Sequence, residues 1–225
     1  MTWLAVVALM VAAGIQPGQG GDEGPPPLPY VRGGSQWVYT SDRGLVRVRL
    51  DEEPGMVDGA RRYRWEIRVA GAVMEEHLAL RSSGLYTVDR AFAFLGRPLW
   101  RLAFDPPELT IALPLEVGRR WHWRNPVVSG SSRGWDEVEG VVEALEWVEV
   151  PAGRYEAYRI RLSRKDTWGS RMESLIWLDP EVGVVKADGL LRWPGLVGAV
   201  QGLLGLDRLR LSLREAHIEA SHPPS

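Results

Sequence analysis

The sequence predicts a mainly β protein: a strongly curved antiparallel sheet, half-barrel or barrel-like in shape, with one short apolar helix near residues 195–206. Three observations support this fold class. Apolar and polar residues alternate with period two over much of the chain, turn-forming residues separate these stretches, and one long apolar segment breaks the alternation. The regular exchange of strands and helices that is typical of parallel α/β folds does not occur.

The alternation is clearest in residues 62–69, where Tyr63, Trp65, Ile67 and Val69 alternate with charged residues. This period places one face of a strand in the core and the other in water. An Ala-Gly turn and then a Ser-Ser-Gly turn follow, so successive strands are expected to pair as neighbours in a meander. The other strands predicted in this way are Val73–Leu80, Leu85–Asp89, Val141–Val150, Arg154–Leu162 and Leu209–Leu213.

The triplet Pro151-Ala152-Gly153 interrupts a run of strand-forming residues and is interpreted as a hairpin loop. Pro151 fits the first position of a type I turn, and Gly153 can adopt the left-handed backbone that closes a three-residue loop. We expect no catalytic role for the triplet, because none of its side chains can transfer a proton.

The apolar segment Pro194–Leu206 predicts the short helix, or else an apolar loop, lying against the sheet. Proline suits the first turn of a helix, whereas the glycines of this segment lower its helix propensity. A weak echo relates residues 29–39 to residues 114–123, since proline, glycine and an aromatic pair recur in the same order. The echo leaves open a division of the β domain into two related halves, 36–110 and 114–219.

Residues 1–20 are interpreted as a secretory signal segment, because Trp3–Ile15 is an uncharged apolar run that is short for a bilayer span. The first two residues carry no basic charge, so either the signal is atypical or the true start lies upstream. A buried N-terminal segment is the alternative. Residues 21–35 are then a Gly/Pro-rich linker, 36–219 a single antiparallel β domain and 220–225 a disordered tail. The expected location is exported, periplasmic or extracellular.

Composition excludes several function classes. The formal net charge is −2 over 225 residues, so no basic surface for nucleic acid is expected. The chain has no cysteine, which excludes disulfides, thiolate nucleophiles and cysteine metal sites. It also excludes the acylated cysteine that anchors bacterial lipoproteins.

Residues 130–134 match the G-x-S-x-G pattern, with Ser132 at the nucleophile position. A nucleophile elbow needs a helix after the serine, whereas the residues that follow resemble a strand. The four histidines lack metal-site spacing, and the acidic residues Asp136, Glu137 and Glu139 are interpreted as a solvated strand edge. We therefore predict no catalytic residue, no metal and no cofactor, and a hydrolase using Ser132 is a minor alternative.

Three segments occur in a characteristic order: Pro114–Trp121, Val150–Tyr155 and Trp177–Lys186. This order resembles a broad group of bacterial exported proteins of unknown function, in which a G-x-x-W strand, a V-P-A-G-x-aromatic hairpin and a W-x-x-P-x-V-G-x-V-K segment recur. The resemblance covers roughly residues 30–218. It implies a fold similar to that of the periplasmic lipoprotein carriers, an incomplete antiparallel barrel around an apolar concavity, and it brings no catalytic residues.

The eleven tryptophans are the most unusual feature of the composition. Core filling is the simplest interpretation, since each tryptophan can bury on the order of 150–250 Å². Two functional interpretations remain open. Tryptophans could line an apolar pocket on the concave side of the sheet, or exposed tryptophans could stack on sugars.

The leading functional hypothesis is a non-catalytic exported envelope protein that binds an apolar or amphipathic ligand, such as a lipid, in the concavity of the sheet. The residues expected to line the site are Trp65, Ile67, Trp177 and Leu203. Alternatives are a glycan-binding β module, the hydrolase and a purely structural envelope domain. An envelope protein partner is the other interaction considered, and we expect no nucleic-acid partner and no transmembrane helix in the mature chain.

Overall fold

Twelve antiparallel strands close into a barrel in the computed structural model of the chain. The structure describes residues 28, 30–57, 59–129, 132–192, 194–195 and 207–219. Neighbouring strands in the barrel are consecutive in the chain, and β1 closes the barrel by pairing with β12. The strands are β1 (Gln36–Ser41), β2 (Gly44–Val57), β3 (Ala60–Val69), β4 (Ala72–Arg81), β5 (Gly84–Phe94), β6 (Arg97–Ala112), β7 (Arg120–Ser129), β8 (Ser132–Val150), β9 (Gly153–Asp166), β10 (Arg171–Asp179), β11 (Gly183–Arg192) and β12 (Arg208–His217).

The predicted mainly β class and the antiparallel meander are confirmed. Of the two predicted shapes, half-barrel or barrel-like, the structure has the second, because the sheet closes completely. Several strands are longer than predicted; β8, for example, begins at Ser132 and not at Val141. The predicted helix near residues 195–206 is not confirmed, because all but its first residue lies outside the described residues.

Period-two alternation builds the barrel as the sequence predicts. Along β3, Tyr63, Trp65, Ile67 and Val69 face the interior and are buried, while the charged residues between them are partly or fully exposed. Closure is supported by side chains of β1 that donate hydrogen bonds across the interior. Trp37 Nε1 lies 2.7 Å from the Val182 carbonyl oxygen.

The last residues of the predicted linker pack on the barrel. Leu28, Tyr30 and Val31 are buried, and the ring of Tyr30 meets that of Trp37 edge-on with the ring centroids 6.3 Å apart. Residues 28, 30 and 31 therefore contribute to the core of the barrel.

The β8–β9 hairpin turns through two residues, Pro151 and Ala152, since Val150 and Gly153 already form a ladder pair. The predicted three-residue loop is wrong by one residue, although Gly153 has the expected positive φ of 140°. The Ala152 amide donates a hydrogen bond of 3.0 Å to the Leu213 carbonyl on β12. The turn of this hairpin is therefore bound to β12 through Ala152.

Alternate connections of such a barrel lie at the same end. We call the end that carries the β1–β2, β3–β4, β5–β6, β7–β8, β9–β10 and β11–β12 connections the upper end, and the other the lower end. Two neighbouring turns of the upper end are joined directly, because the Leu95 amide donates to the Gly71 carbonyl at 2.9 Å.

One seam of the barrel is much weaker than the others. Strands β6 and β7 share only the ladder pairs Ala103–Val128 and Phe104–Val127. From Asp105 onward, β6 has no ladder partner in β7 among the described residues. We call this region the β6–β7 seam.

Candidate functional site

A row of three interior side chains crosses strands β3, β4 and β5. Trp65 pairs with Glu76, and Glu76 pairs with Arg90, so the three stand side by side on the inner face of the wall. All three are buried, with relative exposures of 2%, 0% and 3%. We call Trp65, Glu76 and Arg90 the polar row.

Each member of the polar row keeps a polar atom that has no hydrogen-bond partner among the described residues: Trp65 Nε1, Glu76 Oε2 and Arg90 Nη2. The other carboxylate oxygen of Glu76 accepts a hydrogen bond from Arg90 Nε. Buried polar atoms are rarely left without a partner, because losing hydration without replacement costs about 1–3 kcal/mol for each atom. The row therefore offers an unused donor, acceptor and donor toward the barrel interior.

The next interior row toward the upper end is entirely apolar. It consists of Ile67, Met74 and Phe92, which are ladder partners across the same three strands and are all buried. Alternate residues of a strand are separated by roughly 7 Å. A polar and an apolar row thus lie beside one another on the inner wall.

The polar row continues into a chain of buried charges that alternate in sign. Arg90 Nη2 lies 3.9 Å from Glu108 Oε1, and Glu108 Oε2 accepts a hydrogen bond of 2.7 Å from Arg164 Nη2. Arg164 is also bonded to Asp136. The guanidinium carbons of Arg90 and Arg164 lie 5.7 and 5.8 Å from the ring centroid of Phe104. We call the five charged residues from Glu76 to Asp136 the ionic chain.

Burial shifts the protonation equilibria of the ionic chain. Loss of hydration raises the pKa of the Glu76 and Glu108 carboxyls above the ordinary value, although the neighbouring arginines oppose this shift. Burial by itself would lower the pKa of the Arg164 guanidinium. The negative charges of Asp136 and Glu108 have the larger effect, so the net shift of this pKa is upward. Arg164 therefore stays charged, whereas the two glutamates take up a proton more readily than in water.

Such a chain is weak evidence for stability. Removing charges from water costs several kcal/mol for each ion, and apolar residues of similar volume often stabilise a protein equally well or better. Stability therefore does not explain five charges inside an otherwise apolar barrel. The ionic chain is for this reason the best candidate for a functional site.

The ionic chain lies next to the β6–β7 seam. Glu108 belongs to the stretch of β6 that has no ladder partner in β7 among the described residues. Trp121 and Trp123 of β7 are buried and face the interior together with their ladder partners Gly140 and Val138. Two large aromatic side chains therefore fill the interior where the ladder is missing.

Two of the four predicted lining residues come together in this region. Trp65 belongs to the polar row and Ile67 to the apolar row beside it. Leu203 lies outside the described residues.

Trp177 occupies the other face of the wall. It alternates along β10 with the buried Ile176, and its Nε1 donates a hydrogen bond of 2.7 Å to Glu146 Oε1. The ammonium nitrogen of Lys186 lies 4.5 Å from the centroid of its ring. Trp177 is thus covered by polar side chains on the outside and does not line the interior with Trp65.

Ser132 stands at the start of β8, in an antiparallel hairpin where Ser129 is its ladder partner. A strand therefore follows the serine, as the sequence indicated, in place of the helix that a nucleophile elbow requires.

Sequence reasoning missed the ionic chain, although a signal for it exists. Glu76 stands in phase with Met74 and Leu78 on the apolar face of β4, and Arg164 stands in phase with Ile160 and Leu162 on β9. A charged residue at an apolar position of an alternating strand marks a buried charge.

Pairing of β7 with β8 also gathers three possible metal ligands on the outer face: His122, Glu137 and Glu139. Glu137 Oε1 lies 3.0 Å from His122 Nε2 and 3.2 Å from Lys165 Nζ. Because a lysine already neutralises Glu137, this group is better described as a surface ion-pair network than as a metal site.

A second histidine network crosses the outer face of β2 to β6. His77 Nδ1 lies 2.9 Å from Asp89 Oδ1, and His77 Nε2 lies 3.3 Å from Glu53 Oε1. Arg101 Nη2 binds the other oxygen of Asp89 at 3.0 Å. The hydrogen bond to Asp89 raises the pKa of His77, with burial and Arg101 opposing the shift.

Comparison with protein-family models, with curated proteins and with solved structures finds no match for this chain, so the fold and the site rest on their own geometry. Among the described residues, no helix is long and apolar enough to cross a membrane.

Proposed function

We propose that this protein binds an amphipathic molecule inside its barrel, with the polar head of the ligand at the polar row and its apolar body along the apolar row. The observation that carries the proposal is the set of three buried polar atoms on Trp65, Glu76 and Arg90 that have no hydrogen-bond partner in the described part of the chain, although Arg90 Nη2 also lies 3.9 Å from Glu108 Oε1. A ligand that supplies their missing hydrogen bonds removes the cost of their burial.

The chemistry of the row favours an acidic head group. When the Glu76 carboxyl is protonated, it can donate a hydrogen bond toward the interior, as Trp65 Nε1 and Arg90 Nη2 also do. Burial favours this neutral form because it raises the pKa of Glu76. Three neighbouring donors, one of them on a guanidinium, suit a carboxylate or a phosphate, whose oxygens accept charge-assisted hydrogen bonds.

The width of the barrel supports an occupant. About eight strands enclose an interior that side chains just fill or that holds one small ligand, and this barrel has twelve. Ile67, Met74 and Phe92 give an apolar surface directly beside the polar row. A fatty acid or a related single-chain lipid combines the two chemistries.

We further propose that the protein is exported and acts by binding and not by catalysis. Export is supported by the uncharged apolar run Trp3–Ile15. The rival hydrolase is disfavoured by the strand that follows Ser132. If export occurs, the protein isolated from the extracytoplasmic fraction of producing cells will lack about the first twenty residues, and a full-length cytoplasmic protein would contradict it.

Glycan binding is the weaker alternative. The exposed tryptophans lie toward opposite ends of the barrel, Trp147 near the end of β8 and Trp168 in the β9–β10 connection. About ten residue steps of β9 separate their positions, which is roughly 30 Å. A sugar-stacking platform needs its rings within the length of one short oligosaccharide, so the two side chains do not form one.

Tryptophan fluorescence of the full chain tests the binding proposal. We expect oleate to change the emission saturably, oleyl alcohol to bind more weakly because it lacks the carboxylate, and maltohexaose to have no effect. Trp65→Phe should weaken oleate binding about two- to tenfold, since it removes one donor. The matched control Trp147→Phe, at an exposed tryptophan, should bind like the wild type.

Three results would overturn the proposal: no saturable response to oleate, equal affinity for oleate and oleyl alcohol, or equal losses in the two tryptophan variants. A response to maltohexaose alone would favour the glycan module. Each tryptophan substitution also changes the fluorescence of the free protein, so the affinities are confirmed by native mass spectrometry of the complexes.

A further inference from the structure

The tip of the β5–β6 hairpin, at the upper end, exposes three large apolar side chains in sequence proximity: Phe94, Leu95 and Leu99. Leu95 is 72% exposed, which makes it the most exposed of the large hydrophobic residues among the described part of the chain. Exposed apolar side chains that cluster in this way mark a surface that meets an apolar partner. We call these three residues and the arginines Arg97 and Arg101 the apolar tip.

The backbone at Leu95 makes the choice of leucine more unusual. Its φ is +49°, in the left-handed region that suits glycine or asparagine, and it precedes Gly96 in a two-residue turn. Asparagine followed by glycine is the common solution for such a turn. A leucine at this position has an unfavourable backbone conformation and exposes an apolar side chain to water. The stability of the fold therefore does not explain the presence of leucine.

An outer groove adjoins the apolar tip. It has a volume of about 470 Å³, and its charged residues are Glu75 and Arg101. Its small or apolar lining residues are Val73, Ala91, Ala93, Pro98 and Leu99, together with Phe92, which is otherwise buried. The apolar surface therefore extends from the tip down the outer wall of the barrel.

The charges around this surface define the partner. Residues 91–101 contain two arginines and no acidic residue. Arg97 is exposed. The side chain of Arg101 is 64% exposed, but its Nη2 is bound to Asp89 at 3.0 Å, so Arg97 is the cation offered to a partner. Apolar side chains at a projecting tip, with a cation directly behind them, fit the interface of a bilayer that carries anionic head groups.

We infer that the apolar tip docks on the surface of an anionic lipid bilayer, with Leu95 and Phe94 entering the acyl boundary and Arg97 at the phosphates. The upper end of the barrel then faces the membrane. This inference rests on the outer surface alone and does not depend on a ligand in the interior.

Co-sedimentation of the full chain with protein-free vesicles tests the inference. We expect the wild type to sediment with vesicles of equal parts phosphatidylcholine and phosphatidylglycerol, and more weakly with phosphatidylcholine alone. Leu95→Asn should reduce the partition coefficient about tenfold, since it removes one buried leucine from the interface. Its fold should be as stable as the wild type or more stable, because asparagine suits the left-handed turn position.

Matched controls lie on the lower half of the barrel. Leu145→Asn changes an exposed leucine of β8, and Arg120→Glu reverses an exposed charge at the start of β7. Both should partition like the wild type, whereas Arg97→Glu should lose the preference for phosphatidylglycerol.

The inference is wrong if the wild type sediments with neither vesicle, or if Leu145→Asn reduces partitioning as much as Leu95→Asn. Sedimentation with native membranes but not with protein-free vesicles would also overturn it, because the apolar tip would then be an interface for a protein.

Discussion

Arg164 and Glu108 are 56 residues apart in the chain, yet Nη2 of the arginine lies 2.7 Å from Oε2 of the glutamate inside the barrel. Glu108 lies on β6 and Arg164 on β9, and these strands do not pair because β7 and β8 lie between them. The contact therefore crosses the interior beside the β6–β7 seam. It connects the stretch of β6 that has no described ladder partner in β7 to β9, which pairs with both of its neighbours.

Removing the arginine from this contact should destabilise the protein strongly. Arg164→Met leaves Glu108 and Asp136 buried without their shared cation, which typically costs about 3–5 kcal/mol in the free energy of unfolding. Urea-induced unfolding followed by circular dichroism measures it. Arg161→Met, at an exposed outward position of the same strand, should cost less than about 1 kcal/mol; similar losses in both variants would show that Arg164 has no special role.

The buried carboxyl of Glu76 should make stability fall as the pH rises. Its pKa is raised in the folded state, so its contribution is greatest below the unfolded value of 4.5 and is lost as the pH rises through the folded pKa. Glu76→Gln removes this titration and should flatten the decline of the unfolding free energy above pH 4.5. Glu75→Gln, one residue away on the outer face, serves as the control. An unchanged slope in Glu76→Gln would contradict the assignment.

The His77 network should also weaken with rising pH. Its raised pKa means that the charged imidazole between Asp89 and Glu53 stabilises the folded state fully below pH 6.5, the unfolded value, and that this contribution is lost as the pH rises through the folded pKa. His77→Gln should therefore lower the unfolding free energy more at acidic than at alkaline pH. An NMR titration of the imidazole gives the pKa directly. A measured pKa below 6.5 for His77 is the contrary outcome.

Gly140 should tolerate no larger residue, because a Cβ built there overlaps the ring of its ladder partner Trp121. Gly140→Ala should destabilise by about 1–3 kcal/mol through overpacking. In a Trp121→Ala background, the same change should cost much less, since the ring is gone. A double-mutant cycle from urea unfolding measures this coupling, and additive effects would mean that the ring moves aside freely.

The fold class was accessible from the sequence because period two is a local property. The alternation at Trp65 and Ile67 placed both residues on a buried strand face, and the structure keeps them there. Leu95 shows the limit of such reasoning. Only the backbone shows that this leucine adopts a positive φ at an exposed turn, since an apolar run predicts burial.

The sequence by itself determined that strands form, where most of them turn and which residues of β3 face inward, because side-chain alternation and turn chemistry act over a few residues. Tertiary structure alone decided that the sheet closes, that Trp177 faces outward beneath Lys186, and that Glu76, Arg90, Glu108, Arg164 and Asp136 meet. The physical reason is range. A barrel closes through one ladder between its first and last strands, and charges from five strands converge only after that closure.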